Sequence, residues 1–248
     1  MILNAEIAVV LVEDVSTLAI LQDRELSPLI LASLQELGFP DNLGLLPIEK
    51  ISRQVFSMMR EVVVSFPKRP DVAFMDNMAA DFAAIYLTGS LGASPYESYW
   101  LSDDHLICQD AMFGMRTLYA EAGLRVPDWR MRPDDHLVFQ LQFIARQLKK
   151  AGKEDDWRSL ANFLDYHLLR WLPDFASRVV NRCDTPFYAA LALLTDVWCQ
   201  QLRDLIGQHL DEARPTAEEI EERLRSQRII GVKEVPIHFM PGAAGPSW

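Results

Sequence analysis

Apolar positions recur every three to four residues along most of this chain. Over residues 187–205 they fall at Phe187, Leu191, Leu194, Trp198, Leu202 and Leu205. Steps of four and three place these side chains on one face of a helix, whereas a strand would need strict alternation. Leu137, Leu141, Ile144 and Leu148 repeat the pattern. Residues 26–37, 48–64, 75–87, 106–119 and 157–180 read as helices on the same grounds, and no series of alternating runs marks a sheet. The breaks fall at GFPDN (38–42), FPKRPD (66–71), TGSLGASPY (88–96), GLRVPD (123–128) and NRCDTP (181–186), where Gly, Pro, Asn and Asp favour turns. Mostly short connections make neighbouring helices antiparallel. The pattern predicts a helical chain, and 248 residues suffice for one large domain or two small ones.

Two segments depart from it. The break at 88–104 is long and carries Tyr96, Tyr99 and Trp100; loops of that length are usually kept for a function. Residues 212–248 read as a short helix plus a Pro-containing tail. Thr216 with Glu219 three residues on is a capping-box signature for the start of a solvated helix. The tail that follows is too short to be a domain.

Composition narrows the classes of function. Half of the 248 residues are hydrophobic and a quarter charged, enough to bury a real core. The formal net charge is −11, which disfavours nucleic acid as a partner and favours a basic ligand or peptide. The three cysteines, Cys108, Cys183 and Cys199, form no CxxC pair. Neither a disulfide framework nor a zinc site is expected, and each cysteine reads as a small buried hydrophobe. The oily start is interrupted by Glu6, Glu13 and Asp14 and lacks a basic leader region, so it reads as neither signal peptide nor membrane span. A soluble intracellular protein with no membrane insertion is expected.

The candidate chemistry centres on RPDDHLVFQLQFI (132–144). Pro133 suits a first helical position, and the aspartates after it would complement the helix dipole. Five histidines occur, none in HExxH or at i,i+4. DDH and DYH reverse the His-Asp order of HD-type phosphohydrolases, leaving a metal-dependent hydrolase built on His136 and His167 as the rival reading. GxSxG, P-loop and dinucleotide fingerprints are absent. The residues make no positive case for an enzyme, a cofactor or a metal. What remains is recognition: the aromatic loop and the DDH turn together would form an acidic, aromatic-edged patch suited to a basic, apolar peptide.

Three stretches, SPYESYWLSDD (94–104), PDDHLVFQLQFI (133–144) and DYHLLRWLPDFASRV (165–179), resemble the TorD/DmsD family of redox-enzyme maturation chaperones in order and separation. The resemblance covers roughly residues 74–205. It implies an all-α, single-domain helical bundle over residues 1–211, without chemical activity, acting in the cytoplasm. Such a protein binds the twin-arginine signal peptide of a molybdoenzyme precursor and holds it until cofactor insertion, before export. A monomer or a domain-swapped dimer, and weak guanine-nucleotide binding, occur among members. Carried onto this chain, the peptide-binding residues are Tyr96, Ser98, Trp100, Pro133, Asp135 and His136, with Asp135 facing the leader's arginines; His167 and Trp171 are structural. Two positions depart from the family pattern: Arg132 replaces a common Glu, removing an acid beside the patch, and Arg170 replaces a common Pro. Relatives that serve nitrate-reductase-type subunits imply an alternative, an assembly factor for a mature subunit. The apolar VPIHFM of the tail is expected to cover the peptide groove when no client is bound.

Overall fold

The computed structural model describes residues 3–231. Up to Arg214 the chain forms one compact unit containing ten α-helices among the described residues. These are α1 (Ala5–Asp23), α2 (Pro28–Glu36), α3 (Lys50–Val64), α4 (Val72–Phe82), α5 (Glu97–Leu101), α6 (Asp110–Glu121), α7 (Leu137–Lys150), α8 (Glu154–Tyr166), α9 (Leu172–Arg182) and α10 (Pro186–Leu210). A π-helical turn, Ala83–Leu87, extends α4, and a 3-10 turn, Leu168–Arg170, joins α8 to α9. No strand occurs among the described residues; the nearest to one is an isolated bridge between Tyr96 and His136.

The longest helix, α10, is the axis. It packs against α3, α8 and α9, while α1 packs along α7. Trp171, Phe175, Phe187, Tyr188 and Trp198 are fully buried, so the stripe read from residues 187–205 faces the interior. Local signals set the helix starts. Asn4, Ser27 and Asp71 each accept a bond from a first-turn amide, satisfying a donor that the helix leaves unpaired.

The acids that interrupt the oily N-terminus include a structural one. Buried Asp14 accepts from the Gly44 and Leu45 amides at 2.8 and 2.9 Å and from Trp198 Nε1 at 3.1 Å. It ties α1 to the connection before α3 and to α10. A Cβ at position 44 would stand 1.8 Å from Val10 Cγ1, so a larger residue there would need Val10 to move. No helix among the described residues is long and apolar enough to cross a membrane.

Three expectations need correcting. The helix expected over 157–180 is broken at residues 167–171, where His167 and Trp171 leave helical backbone, and Pro173 in the first turn of α9 has no N–H to carry the helix through. The helix expected from 106 starts only at Asp110, after His105 and Cys108 adopt left-handed backbone (φ 52° and 61°). The helix expected to begin at Pro133 begins at Leu137; His136 is its N-cap, and the two aspartates lie in the turn before it. Of the three free cysteines only Cys199 is fully buried; Cys108 and Cys183 are partly accessible.

The second unit begins at Pro215, with α11 (Ala217–Gly231) as its described element. The Glu219 amide donates to Thr216 Oγ1 at 3.2 Å and the Thr216 amide to Glu219 Oε2 at 2.8 Å, the capping box expected there. The VPIHFM segment lies outside the described residues.

Candidate functional site

The aromatic loop and the DDH turn are zipped together. The Leu137 amide donates to Pro95 O at 2.8 Å and the Glu97 amide to Asp135 O at 3.2 Å, on either side of the Tyr96–His136 bridge. Asp135 is fully buried. Its Oδ2 accepts from the Ser98 amide at 2.8 Å and the Ser98 hydroxyl at 2.5 Å, so it closes the first turn of α5. Ser98 Oγ accepts in turn from the Gln109 amide at 3.3 Å, drawing in the start of α6. Burial raises the Asp135 pKa above the usual carboxylate range; the Ser98 bonds oppose this and nearby Glu97 adds to it.

His136 is sealed beside it. Its Nδ1 accepts from the Val138 amide at 3.1 Å, which puts the proton of the neutral ring on Nε2, and Nε2 is buried without a partner. Burial, and then the Arg132 charge, hold the imidazole well below its usual pKa. Asp134 is neutralised by Arg116 at 2.8 Å, whose guanidinium also lies over the Trp129 ring at 4.6 Å. Pro133 is buried in the same turn. Beneath the zip, Glu97 accepts from Gln140 Nε2 at 2.6 Å and meets His167 Nδ1 at 3.0 Å.

Two of the sequence-predicted residues reach the surface. Tyr96 is half-buried, edge-on to the His136 ring at 5.0 Å. Trp100 is half-buried, donates from Nε1 to Ser94 O at 2.8 Å and lies under the Arg178 guanidinium at 5.5 Å. Ser98, Pro133, Asp135 and His136 are gathered below them, out of contact with solvent. Arg132 is engaged too: it pairs with Asp23 of α1 at 2.5 Å and lies over the Phe139 ring at 5.7 Å. His136 and His167 have separate partners, and no group of three or more His, Cys, Asp or Glu placed to hold a metal occurs among the described residues.

Sequence reasoning missed the buried polar pair Glu97 and Gln140. Gln140 sits one helical turn after His136, a spacing that was readable, but its partner lies 43 residues away in the chain. It also missed an exposed surface. Asp103 and Asp104 follow α5 and are exposed, and Leu106, Ile107 and Phe113 after them in the chain are 52%, 46% and 54% exposed. Two exposed carboxylates therefore precede three exposed apolar side chains along the chain.

The site is thus a loop held to the turn before α7 by backbone bonds and by the Asp135–Ser98 contacts. The chain matches the family model described as the nitrate reductase delta subunit over residues 54–177. It is 33% identical to the "Chaperone protein TorD" of Shewanella loihica over 134 residues, 52% of this chain and 62% of that protein. It is 29% identical to proteins of the same name from Vibrio cholerae, over 68% of this chain and 79% of the relative, and from Salmonella arizonae, over 71% and 82%. The chain spans about three fifths of the length of the first of these relatives. It belongs to the nitrate reductase delta subunit family and is similar to the chaperone proteins named TorD.

Proposed function

We propose that this chain is a cytoplasmic chaperone that holds the twin-arginine leader of a molybdoenzyme precursor until the cofactor is inserted. The observation that carries this reading is the order of charge and apolar surface after α5. Exposed Asp103 and Asp104 are followed by exposed Leu106, Ile107 and Phe113. A twin-arginine leader has the complementary order, two cations and then an apolar stretch. Carboxylates suit guanidinium forks, and an apolar ledge suits the hydrophobic face of a helix.

Tyr96 and Trp100 would edge this surface. Ser98, Pro133, Asp135 and His136 would act as positioning residues: they hold α5 and its loop in place and meet the leader only if the zip opens. The apolar contacts supply most of the affinity. The surface ion pairs contribute little each, about 0.2–1 kcal/mol, and mainly set orientation.

The test is capture of the client from the native host under anaerobic growth by wild type and by Asp103→Lys/Asp104→Lys, with bound proteins identified by mass spectrometry. Wild type should recover a molybdoenzyme precursor with its leader attached, and the variant, equally folded by circular dichroism, should recover several-fold less. Equal recovery by both removes the two aspartates from the site. Recovery of mature subunits alone would favour the second reading, an assembly factor for a mature subunit, which the match to the nitrate reductase delta subunit model supports.

A further inference from the structure

A groove lies close to the zipped loop, and two arginines stand at its rim. The end of α6, the connection after it and the outward face of α7 enclose a cavity of about 220 Å³. Tyr119 and Phe143, both buried, are its floor, with ring centroids 5.2 Å apart. Leu124, Val126 and Pro127 form one wall and half-buried Phe139 another. Phe139 links the groove wall to the interior of the candidate site, its ring lying 6.0 Å from that of buried His136. Arg125 and Arg146 stand at the rim, both exposed.

The two rim arginines are uncommitted. Arg60, Arg116, Arg132, Arg158 and Arg203 are engaged with carboxylates. Arg125 and Arg146 have no hydrogen-bond or ion-pair partner among the described residues. In a chain of net charge −11, two free guanidiniums at the edge of an aromatic cavity offer donors suited to a carboxylate-bearing ligand. A solvated guanidinium loses less to desolvation than an ammonium and presents paired donors matched to a carboxylate.

We infer that this groove is a docking site for an acidic, apolar segment of the client polypeptide outside its basic leader, the apolar side chains filling the cavity over Tyr119 and Phe143 and the carboxylates meeting Arg125 and Arg146. The inference rests on the client-chaperone reading above and gives it a second point of contact. A leader held at Asp103 and Asp104 and an acidic segment held here would make attachment bivalent, so that each contact can be weak while the pair is selective.

The probes are fluorescein-labelled amphipathic peptides of about 15 residues, one pairing Leu with Glu and its twin pairing Leu with Lys. A third peptide carries adjacent arginines followed by an apolar run. Anisotropy titrations compare full-length wild type with Arg125→Glu/Arg146→Glu. Both positions are exposed, so the change should spare the fold, which circular dichroism checks. Wild type should bind the Glu peptide, and the variant should bind it about tenfold more weakly, a loss of about 1.4 kcal/mol, while the twin-arginine peptide binds both proteins alike. The inference is overturned if wild type prefers the Lys peptide, or if the charge reversal leaves Glu-peptide binding unchanged. It is also overturned if twin-arginine binding is what the reversal changes, since the groove would then belong to the leader. Failure of the twin-arginine peptide to bind either protein would count against the leader reading alone.

Discussion

His136 shows how much one side chain can be asked to do. It caps α7 through Nδ1, packs against Tyr96 and closes the turn that carries Asp135. All of this requires the neutral ring. Its folded pKa is depressed well below 6.5, first by burial and then by Arg132, so the unfolded chain takes up a proton that the folded one refuses. The stability it contributes is complete above about pH 6.5 and is lost as pH falls from there toward the folded pKa, by up to about 1.4 kcal/mol per pH unit. Asp135 acts in the opposite sense: its raised pKa favours the fold as pH falls toward its ordinary value near 3.8. His136→Asn isolates the histidine, since Asn is a good N-cap and does not titrate. Wild type should lose melting temperature between about pH 7.5 and about pH 5.5. The Asn variant should start lower, because it fills less volume, and change less across that window. Parallel curves for the two proteins would mean that His136 is not held neutral.

At the scale of elements, the clamp between α8 and α10 is the clearest case of a buried charge that the fold depends on. Asp165 receives Arg203 Nε on both oxygens, at 3.0 and 2.8 Å, with both side chains buried, and Arg214 approaches to 3.5 Å. Removing one partner strands the other, so Asp165→Ala should destabilise the domain by about 3–5 kcal/mol, whereas Asp165→Leu with Arg203→Met should recover much of that loss. Chemical denaturation of the three proteins measures both; a single variant as stable as wild type would show that the pair is not a clamp. Helices such as these were legible in the sequence wherever an apolar stripe ran unbroken, as in α10 and α7. Their interruptions were less so. The break between α8 and α9 lies just before Pro173, a signal that was readable, while the late start of α6 follows from two non-glycine residues in left-handed backbone, which no local pattern announces. At the site the sequence identified the loop and the DDH turn, because unusual residue types cluster there. It did not show that Asp135 is spent on Ser98, because that bond spans 37 residues of sequence and a buried and an exposed aspartate look alike in a string of letters. The free carboxylates that matter for the proposed function lie one turn further on, at Asp103 and Asp104.

The whole molecule adds a field to these contacts. Under the proposed function, a net charge of −11 would attract a basic leader from a distance before any specific contact forms, and such attraction acts on the association rate far more than on dissociation. It also decays with ionic strength, as the screening length shrinks from roughly 14 Å at about 0.05 M salt to roughly 4 Å at about 0.5 M. Stopped-flow mixing with a labelled twin-arginine peptide should therefore show association slowing about tenfold or more over that range, with dissociation nearly constant, because the apolar ledge at Leu106, Ile107 and Phe113 holds the bound peptide. Asp103→Lys/Asp104→Lys changes the net charge by four of the eleven units and places the change at the proposed contact, so it should lower the low-salt association rate and flatten its salt dependence. The same net change made far from the loop, by Glu6→Lys and Glu13→Lys on exposed positions of α1, separates steering by the molecule from contact at the site. If both double variants slow association equally and neither changes dissociation, the acidic body does the steering and the leader's arginines do not seat on the loop. A larger loss for the loop variant, with faster dissociation as well, places them there.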